Sequence, residues 1–189
     1  MENRSINLET DSSLSIVLSI GHEVLKTKEF SQGLDQLHHL GTSVSKHSFR
    51  VALLSVSLAK ALHKRGISVD LTSLVRAALL HDFGILGRYE GKFHGIKSCC
   101  LFQHPKDSVK VAQSLFFNMT QKEVNTIASH MWPFSASLPC CKEAWIVNLS
   151  DKLVGSKEGL EGFYLYAKHR VSPKEGLPIW PRLQNRTIS

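Results

Sequence analysis

Several features that would place the chain in other classes of protein are missing from its sequence. No apolar run approaches the roughly 20 residues that cross a bilayer. The polar opening MENRSINLETDSS carries no signal-peptide pattern, and neither an internal repeat nor a low-complexity tract is present. We therefore expect a cytoplasmic protein with no membrane partner.

Cysteine is scarce, and its arrangement fits none of the common cysteine motifs. The four cysteines form two vicinal pairs, Cys99-Cys100 and Cys140-Cys141. These pairs match neither a C-x-x-C redox motif nor a zinc-finger spacing. A disulfide between the pairs would require their loops to meet, and a cytosolic compartment disfavours it. We expect reduced thiols.

Acidic residues are outnumbered by basic ones. There are 23 Lys and Arg against 16 Asp and Glu, which gives a formal net charge of +7. This excess favours anionic ligands. The basic residues are scattered and form no single stripe, so a solvated basic surface is favoured over nucleic-acid binding.

No segment shows the alternation of apolar and polar residues that is typical of a β-strand, whereas apolar residues often recur at the spacing of three and four that is typical of a helix. Thr120 and Glu123 form a capping-box pattern, and Pro105 suits the first turn of a helix. The glycine-containing segment 84–103 is typical of a loop at the mouth of a site. Helices are predicted at about 12–30, 47–66, 71–82, from Pro105, from Thr120 to the region before Pro133, and at 144–154 and 156–170.

These patterns predict an all-α fold, a compact helical bundle of about six to eight helices. At 189 residues, the chain is long enough for one domain with a single core. We expect that domain to cover residues 1–171, followed by a short irregular tail at 172–189.

Histidine and aspartate recur at positions where a soluble helical protein has little structural use for them. A lone histidine on an apolar helix face is more often a hydrogen-bonded core residue than a ligand. Lys152 or Arg76 could neutralise a nearby carboxylate, but buried carboxylates are costly unless they are paired or metal-bound. Nitrogen and oxygen donors without thiolate suit Mn, Fe, Ni, Zn or Mg. Four imidazoles and two carboxylates, enough for two metal ions, come from His47, His81, Asp82, His104, His130 and Asp151.

The segments around these residues resemble a known signature. HSFRVALLSVSLAKAL, RAALLHDFG and NLSDKL resemble the H…HD…D pattern of the HD-domain superfamily of metal-dependent phosphohydrolases, over about residues 44–158. His104 in QHPKDSVKVAQ and His130 in TIASHMWP resemble the additional histidines of the subgroup that binds two metals. The resemblance implies that one divalent ion is held by His47, His81, Asp82 and Asp151. A second would be held by His104 and His130, with Asp82 as the bridge.

This resemblance implies a hydrolase that acts on a small phosphorylated substrate, a phosphate mono- or diester, with nucleotides among the candidates. Two close cations would acidify a shared water into the attacking hydroxide, and Asp82 would be catalytic. Two lysines near ligands in the sequence, Lys106 and Lys152, are predicted to assist catalysis. Predicted substrate contacts are His38, His39, Thr42, Arg50 and Lys110.

Alternatives remain open at this stage. Thr42 or Ser43 could instead cap the following helix. The same six ligands serve mixed-valent diiron oxygenases of the superfamily, which cleave C–C or C–P bonds. A non-catalytic signalling or binding module could also retain the scaffold. The chain reads HDFGILG where cyclic-dinucleotide phosphodiesterases carry HDxGK, and it lacks their GYP motif, so we do not expect that specific activity.

Overall fold

A computed structural model describes residues 6–39, 42–86 and 100–171 of the chain. The predicted all-α class is confirmed, because eight α-helices account for most of the described residues. Two short strands pair as an antiparallel ribbon, which the sequence patterns did not predict. The elements in chain order are α1 (Ser13–Ile20), α2 (His22–Leu25), α3 (Lys28–Asp35), β1 (Leu37–His39), β2 (Thr42–Ser43), α4 (Val44–His63), α5 (Leu71–Leu80), a 3-10 helix (Phe83–Ile85), α6 (Cys100–Leu115), α7 (Gln121–Ser129) and α8 (Lys142–Val171).

The single helix predicted at 12–30 is wrong, because the chain divides there into α1, α2 and α3. Gly21 lies between α1 and α2, and a Cβ added to it would lie 2.4 Å from Leu79 Cδ1 on α5. Thr27 then begins α3, since its side chain accepts a hydrogen bond from Phe30 N over 3.2 Å. Close packing at Gly21 and the cap at Thr27 thus break the helix despite its continuous apolar spacing.

The core lies where α4, α5, α7 and α8 pack against one another. Most of its side chains come from the inward faces of these helices, as the spacing of three and four residues predicts, and other elements add buried residues such as Ile16 and Val17 on α1 and Phe83 on the 3-10 helix. Fully buried members include Val51 and Val56 on α4, Leu74 and Leu79 on α5, and Val147 on α8. These are also the helices that carry or immediately precede most of the His and Asp residues, so core packing fixes the site.

In the second half of the chain, some of the predicted helix boundaries are confirmed and others are wrong. The capping box at Thr120 and Glu123 is confirmed, with both reciprocal hydrogen bonds present. Pro105 does not begin α6 but lies inside it, after a start at Cys100. The two helices predicted at 144–154 and 156–170 are one helix, α8. Most of the loop predicted at 84–103 and the tail at 172–189 lie outside the described residues.

Two other expectations concern cysteine and the membrane. Cys140 and Cys141 are free thiols, as expected, whereas nothing is described for the side chains of Cys99 and Cys100. Among the described residues, no helix combines the length and apolar character that a membrane span requires.

Candidate metal centre

Five segments bring the six sequence-predicted ligands to one buried point. His47 comes from α4, and His81 and Asp82 directly follow α5. The remaining three are His104 on α6, His130 at the end of α7 and Asp151 on α8. Their side chains are almost fully buried, and Asp151 is the most exposed at 12 %.

Asp82 lies at the middle of the cluster, and its two oxygens face different histidines. Oδ1 is 3.3 Å from His104 Nε2 and 3.4 Å from His130 Nε2. Oδ2 is 3.2 Å from His81 Nε2 and 3.7 Å from His47 Nε2. One carboxylate therefore separates two pairs of imidazoles.

Asp151 lies closest to one of these pairs, although its donor atom also comes within 4.8 Å of those of His81 and His130. Its Oδ1 accepts a hydrogen bond from His47 Nε2 over 2.9 Å and lies 3.5 Å from His81 Nε2. On the other side of Asp82, the Nε2 atoms of His104 and His130 are only 2.8 Å apart. The cluster thus contains a four-residue group and a three-residue group that share Asp82.

The outer ring nitrogens of three histidines are held by acceptors, which orients the inner nitrogens toward the centre. His81 Nδ1 donates to the carbonyl oxygen of Ala78 over 2.8 Å, and His130 Nδ1 donates to that of Ile127 over 2.7 Å. His47 Nδ1 donates to Glu158 Oε2 over 2.8 Å. Such outer contacts fix the tautomer and the orientation of metal-binding histidines.

Electrostatics in the metal-free cluster differ between its two sides. Burial of the His47 ring opposes its charge, but hydrogen bonds to Asp151 and Glu158 outweigh burial and raise the pKa of His47 to about 9. Burial would raise the pKa of Asp151, but the hydrogen bond from His47 and the close His81 ring hold it below its usual range. Burial lowers the pKa of His130. Protons are therefore retained on the His47 side, where a metal ion would have to displace them.

The residues present fit divalent metal ions. Each of three trios drawn from the six residues has its donor atoms within 4.8 Å of one another. His81 Nε2 is buried and makes no hydrogen bond, although Asp82 Oδ2 is 3.2 Å away. A buried polar atom without a partner is costly, and a cation between it and the carboxylate would satisfy both groups. The nitrogen and oxygen donors suit Mn, Fe, Ni, Zn or Mg.

Two contacts hold the segments that carry the ligands. Asn148 Nδ2 donates to the carbonyl oxygens of Ser129, His130 and Trp132 over 3.2, 2.7 and 2.8 Å, which fixes the end of α7. Gly84 N donates to Ser108 Oγ over 2.8 Å, which holds the segment after Asp82 against α6. Both contacts satisfy backbone groups that a helix end or turn leaves free.

The predicted catalytic lysines differ in their surroundings. Lys152 is half-buried, and its ammonium donates to the carbonyl oxygen of His130 over 3.1 Å and to that of Asn148 over 3.4 Å. Burial lowers the pKa of Lys152, although Asp151 opposes this effect. Lys106 is exposed on α6. Lys152 is therefore in contact with a ligand residue, whereas Lys106 lies outside the buried cluster.

The predicted substrate contacts are also dispersed. Thr42 is buried in β2, directly before α4. His38 and His39 belong to β1, but their side chains lie outside the described residues. Arg50 Nη1 donates to Glu158 Oε1 over 2.8 Å. Lys110 is exposed and lies 3.3 Å from Asp107.

Thr42 and Ser43 directly precede α4, where the sequence offered either of them as a helix cap. Ser43 occupies the N-cap position of α4, but its side chain makes no capping hydrogen bond. Its hydroxyl oxygen is buried without a hydrogen-bond partner.

Glu158 is the residue of this site that sequence reasoning missed. Its carboxylate is 2 % exposed and binds both His47 and Arg50. The available signal was its position on α8, seven residues after Asp151 on the side that also buries Val154. The contact with His47 spans 111 residues of sequence, so spacing alone could not reveal it.

The fold and the cluster together define a class of protein. In this class, the fold is all-α, and histidine and aspartate side chains from several helices meet at a buried site suited to divalent metals. A family model described as the HD domain matches residues 44–155. The chain belongs to the HD-domain family. Comparisons with curated proteins and with solved structures gave no significant match.

Proposed function

We propose that the protein is a metal-dependent phosphohydrolase that binds two divalent cations side by side. The observation that carries this proposal is the placement of Asp82, whose two oxygens face separate pairs of imidazoles at 3.2 to 3.7 Å. A carboxylate shared in this way supports a pair of metals better than a single one. The HD-domain family, whose members are typically metal-dependent phosphohydrolases, supports the reaction class.

The six ligands divide between the two cations as follows. His47, His81 and Asp151 would hold the first, and His104 and His130 the second, with Asp82 shared. When bound, such cations lower the pKa of water and neutralise charge on phosphate oxygens. Because Asp82 serves both sites, its loss should remove both.

The protein itself supplies three features of the site. It excludes bulk water from most of the ligands, it leaves one side open to solvent, and it provides positive charge. The other five ligand side chains are at most 5 % exposed, whereas Asp151 is 12 % exposed, so solvent reaches the cluster at Asp151. Lys152 follows Asp151 on α8, and we propose that its ammonium contacts a phosphate oxygen of the substrate. The net charge of +7 also favours anionic substrates. A small phosphate mono- or diester, with nucleotides among the candidates, fits these features.

The test uses protein stripped with chelator and reloaded separately with Mn²⁺, Ni²⁺, Zn²⁺, Mg²⁺ or Fe²⁺. Phosphate release is measured with p-nitrophenyl phosphate, bis-p-nitrophenyl phosphate and a nucleotide panel. We expect turnover that requires metal and is lost in Asp82→Ala. The matched control is Asp35→Ala, because Asp35 is an exposed aspartate at the end of α3.

Two results would overturn the proposal. Oxygen consumption by the iron-loaded protein, with no phosphate release from any substrate, would favour the diiron oxygenase. A fully loaded protein that turns over none of the panel would favour a non-catalytic module.

A further inference from the structure

We propose that Glu158 is a positioning residue for the first metal ion, acting through His47, and that Arg50 holds Glu158 in place. This inference rests on the metal centre of the proposed function but does not depend on which reaction that centre performs. Glu158 lies outside the H…HD…H…H…D pattern and supplies none of its ligand atoms.

The positioning role of Glu158 follows from its contacts with His47 and Arg50. Glu158 Oε2 accepts from His47 Nδ1 over 2.8 Å, while Glu158 Oε1 accepts from Arg50 Nη1 over 2.8 Å. Both oxygens are thus engaged, one by each partner. His47 is 0 % exposed and the Glu158 side chain 2 % exposed, so water does not compete for the contact. The carboxylate therefore has one orientation, and it imposes that orientation on the ring.

The effect on His47 follows from the chemistry of the acceptor. A carboxylate has no proton to donate, so the Nδ1–H must come from His47. Once Nδ1 carries the proton, Nε2 is the atom left to bind a metal, and it is the one that lies near Asp82 and Asp151. A negatively charged acceptor also makes the imidazole a stronger ligand than a neutral acceptor does.

The chain offers its own comparison. His81 and His130 are oriented by the neutral carbonyl oxygens of Ala78 and Ile127. His47 is oriented by a full negative charge, and that charge is paired with Arg50. We therefore expect Glu158 to affect the site that contains His47 much more than the site that contains His104 and His130.

The decisive variant is Glu158→Gln, which keeps the size of the side chain. A glutamine that accepts from His47 with its oxygen must turn its NH₂ group toward the guanidinium of Arg50, donor against donor. The control is Glu161→Gln on the same helix, because Glu161 is 55 % exposed and lies 3.9 Å from Lys157 at the surface. Urea unfolding of both metal-free variants confirms that they fold.

Binding of Mn²⁺ is measured by titration calorimetry on chelator-stripped protein. We expect Glu158→Gln to weaken one of the two binding events by about 10- to 100-fold, while the other event and the Glu161→Gln variant keep wild-type affinities. Wild-type affinity for both ions in Glu158→Gln would overturn the inference.

A second measurement does not require metal. In ¹⁵N-histidine spectra of the metal-free protein, the Nδ1–H proton of His47 is assigned from its absence in His47→Gln. We expect that proton to exchange faster with solvent and to shift upfield in Glu158→Gln, and an unchanged signal would also overturn the inference. If the protein binds metal as expected but hydrolyses no phosphoester, the proposed function fails while this inference stands.

Discussion

Replacing Gly84 with alanine should test how closely the segment after Asp82 must pack against α6. Gly84 lies two residues after Asp82 in the 3-10 helix. A Cβ at this position would lie 2.4 Å from His104 O, 2.4 Å from Ser108 N and 2.8 Å from Asp107 C. All three are backbone atoms of α6, so no side chain can rotate away to make room. The alanine therefore has to push α6 and the segment after Asp82 apart.

The magnitude follows from two contributions. Overpacking in a close-packed interior costs about 1–3 kcal/mol. Separation of the two segments also stretches the 2.8 Å hydrogen bond from Gly84 N to Ser108 Oγ, and losing such a bond costs about 1 kcal/mol. We expect Gly84→Ala to lower the free energy of unfolding by about 2–4 kcal/mol. Because α6 carries His104, binding of Mn²⁺ on the His104–His130 side should weaken as well.

Urea unfolding of metal-free protein measures the first effect, with a fall in the midpoint of roughly 1–2 M. Gly159→Ala is the matched control. Gly159 lies inside α8 and nothing lies within 4 Å of its added Cβ, so alanine there should stabilise the protein by up to about 1 kcal/mol. A Gly84→Ala variant within about 0.5 kcal/mol of the wild type would refute the packing described for this turn.

Three further predictions concern the ligands and their supports. Asp82→Ala should abolish binding of both metal ions, and calorimetry that still detects one tight Mn²⁺ site would contradict the bridging role. In the metal-free protein, the pKa of His47 is raised from 6.5 to about 9, so its contribution to stability is complete below pH 6.5 and is lost as pH rises toward 9. Urea midpoints should therefore fall across that window, and flat midpoints would argue against a charged His47. Asn148→Ala should destabilise the protein by about 1–3 kcal/mol, because the carbonyl oxygens of Ser129, His130 and Trp132 lose the Asn148 amide, although Ser129 O still accepts from Trp132 N and His130 O from Lys152 Nζ. A calorimetric unfolding scan with an unchanged transition would contradict this role.

The helices that carry the ligands were predictable where the apolar pattern and the caps agree. His47 lies on the inward face of α4 as the spacing indicates, and the Thr120–Glu123 capping box begins α7. The division of the first predicted helix was not predictable, because it depends on how closely Gly21 packs against Leu79. That contact joins distant parts of the chain and leaves no local signal.

The site shows the same division between local pattern and tertiary contact. The sequence motif identified six residues, Asp82 among them, and the structure brings their side chains together in one cluster. The motif could not show that Arg50 is engaged by Glu158 or that Lys152 contacts the carbonyl oxygen of His130. Both contacts depend on the packing of α8 against α4 and α7, which the periodicity of a single helix does not determine.

The central claim is that the buried His and Asp residues form a centre for two metal ions. The most direct test is elemental analysis of protein purified without chelator, and of the same protein after reconstitution and removal of free ions. We predict two divalent ions per chain in the wild type and none in Asp82→Ala. Failure of the wild type to retain any tightly bound metal after reconstitution would contradict the claim.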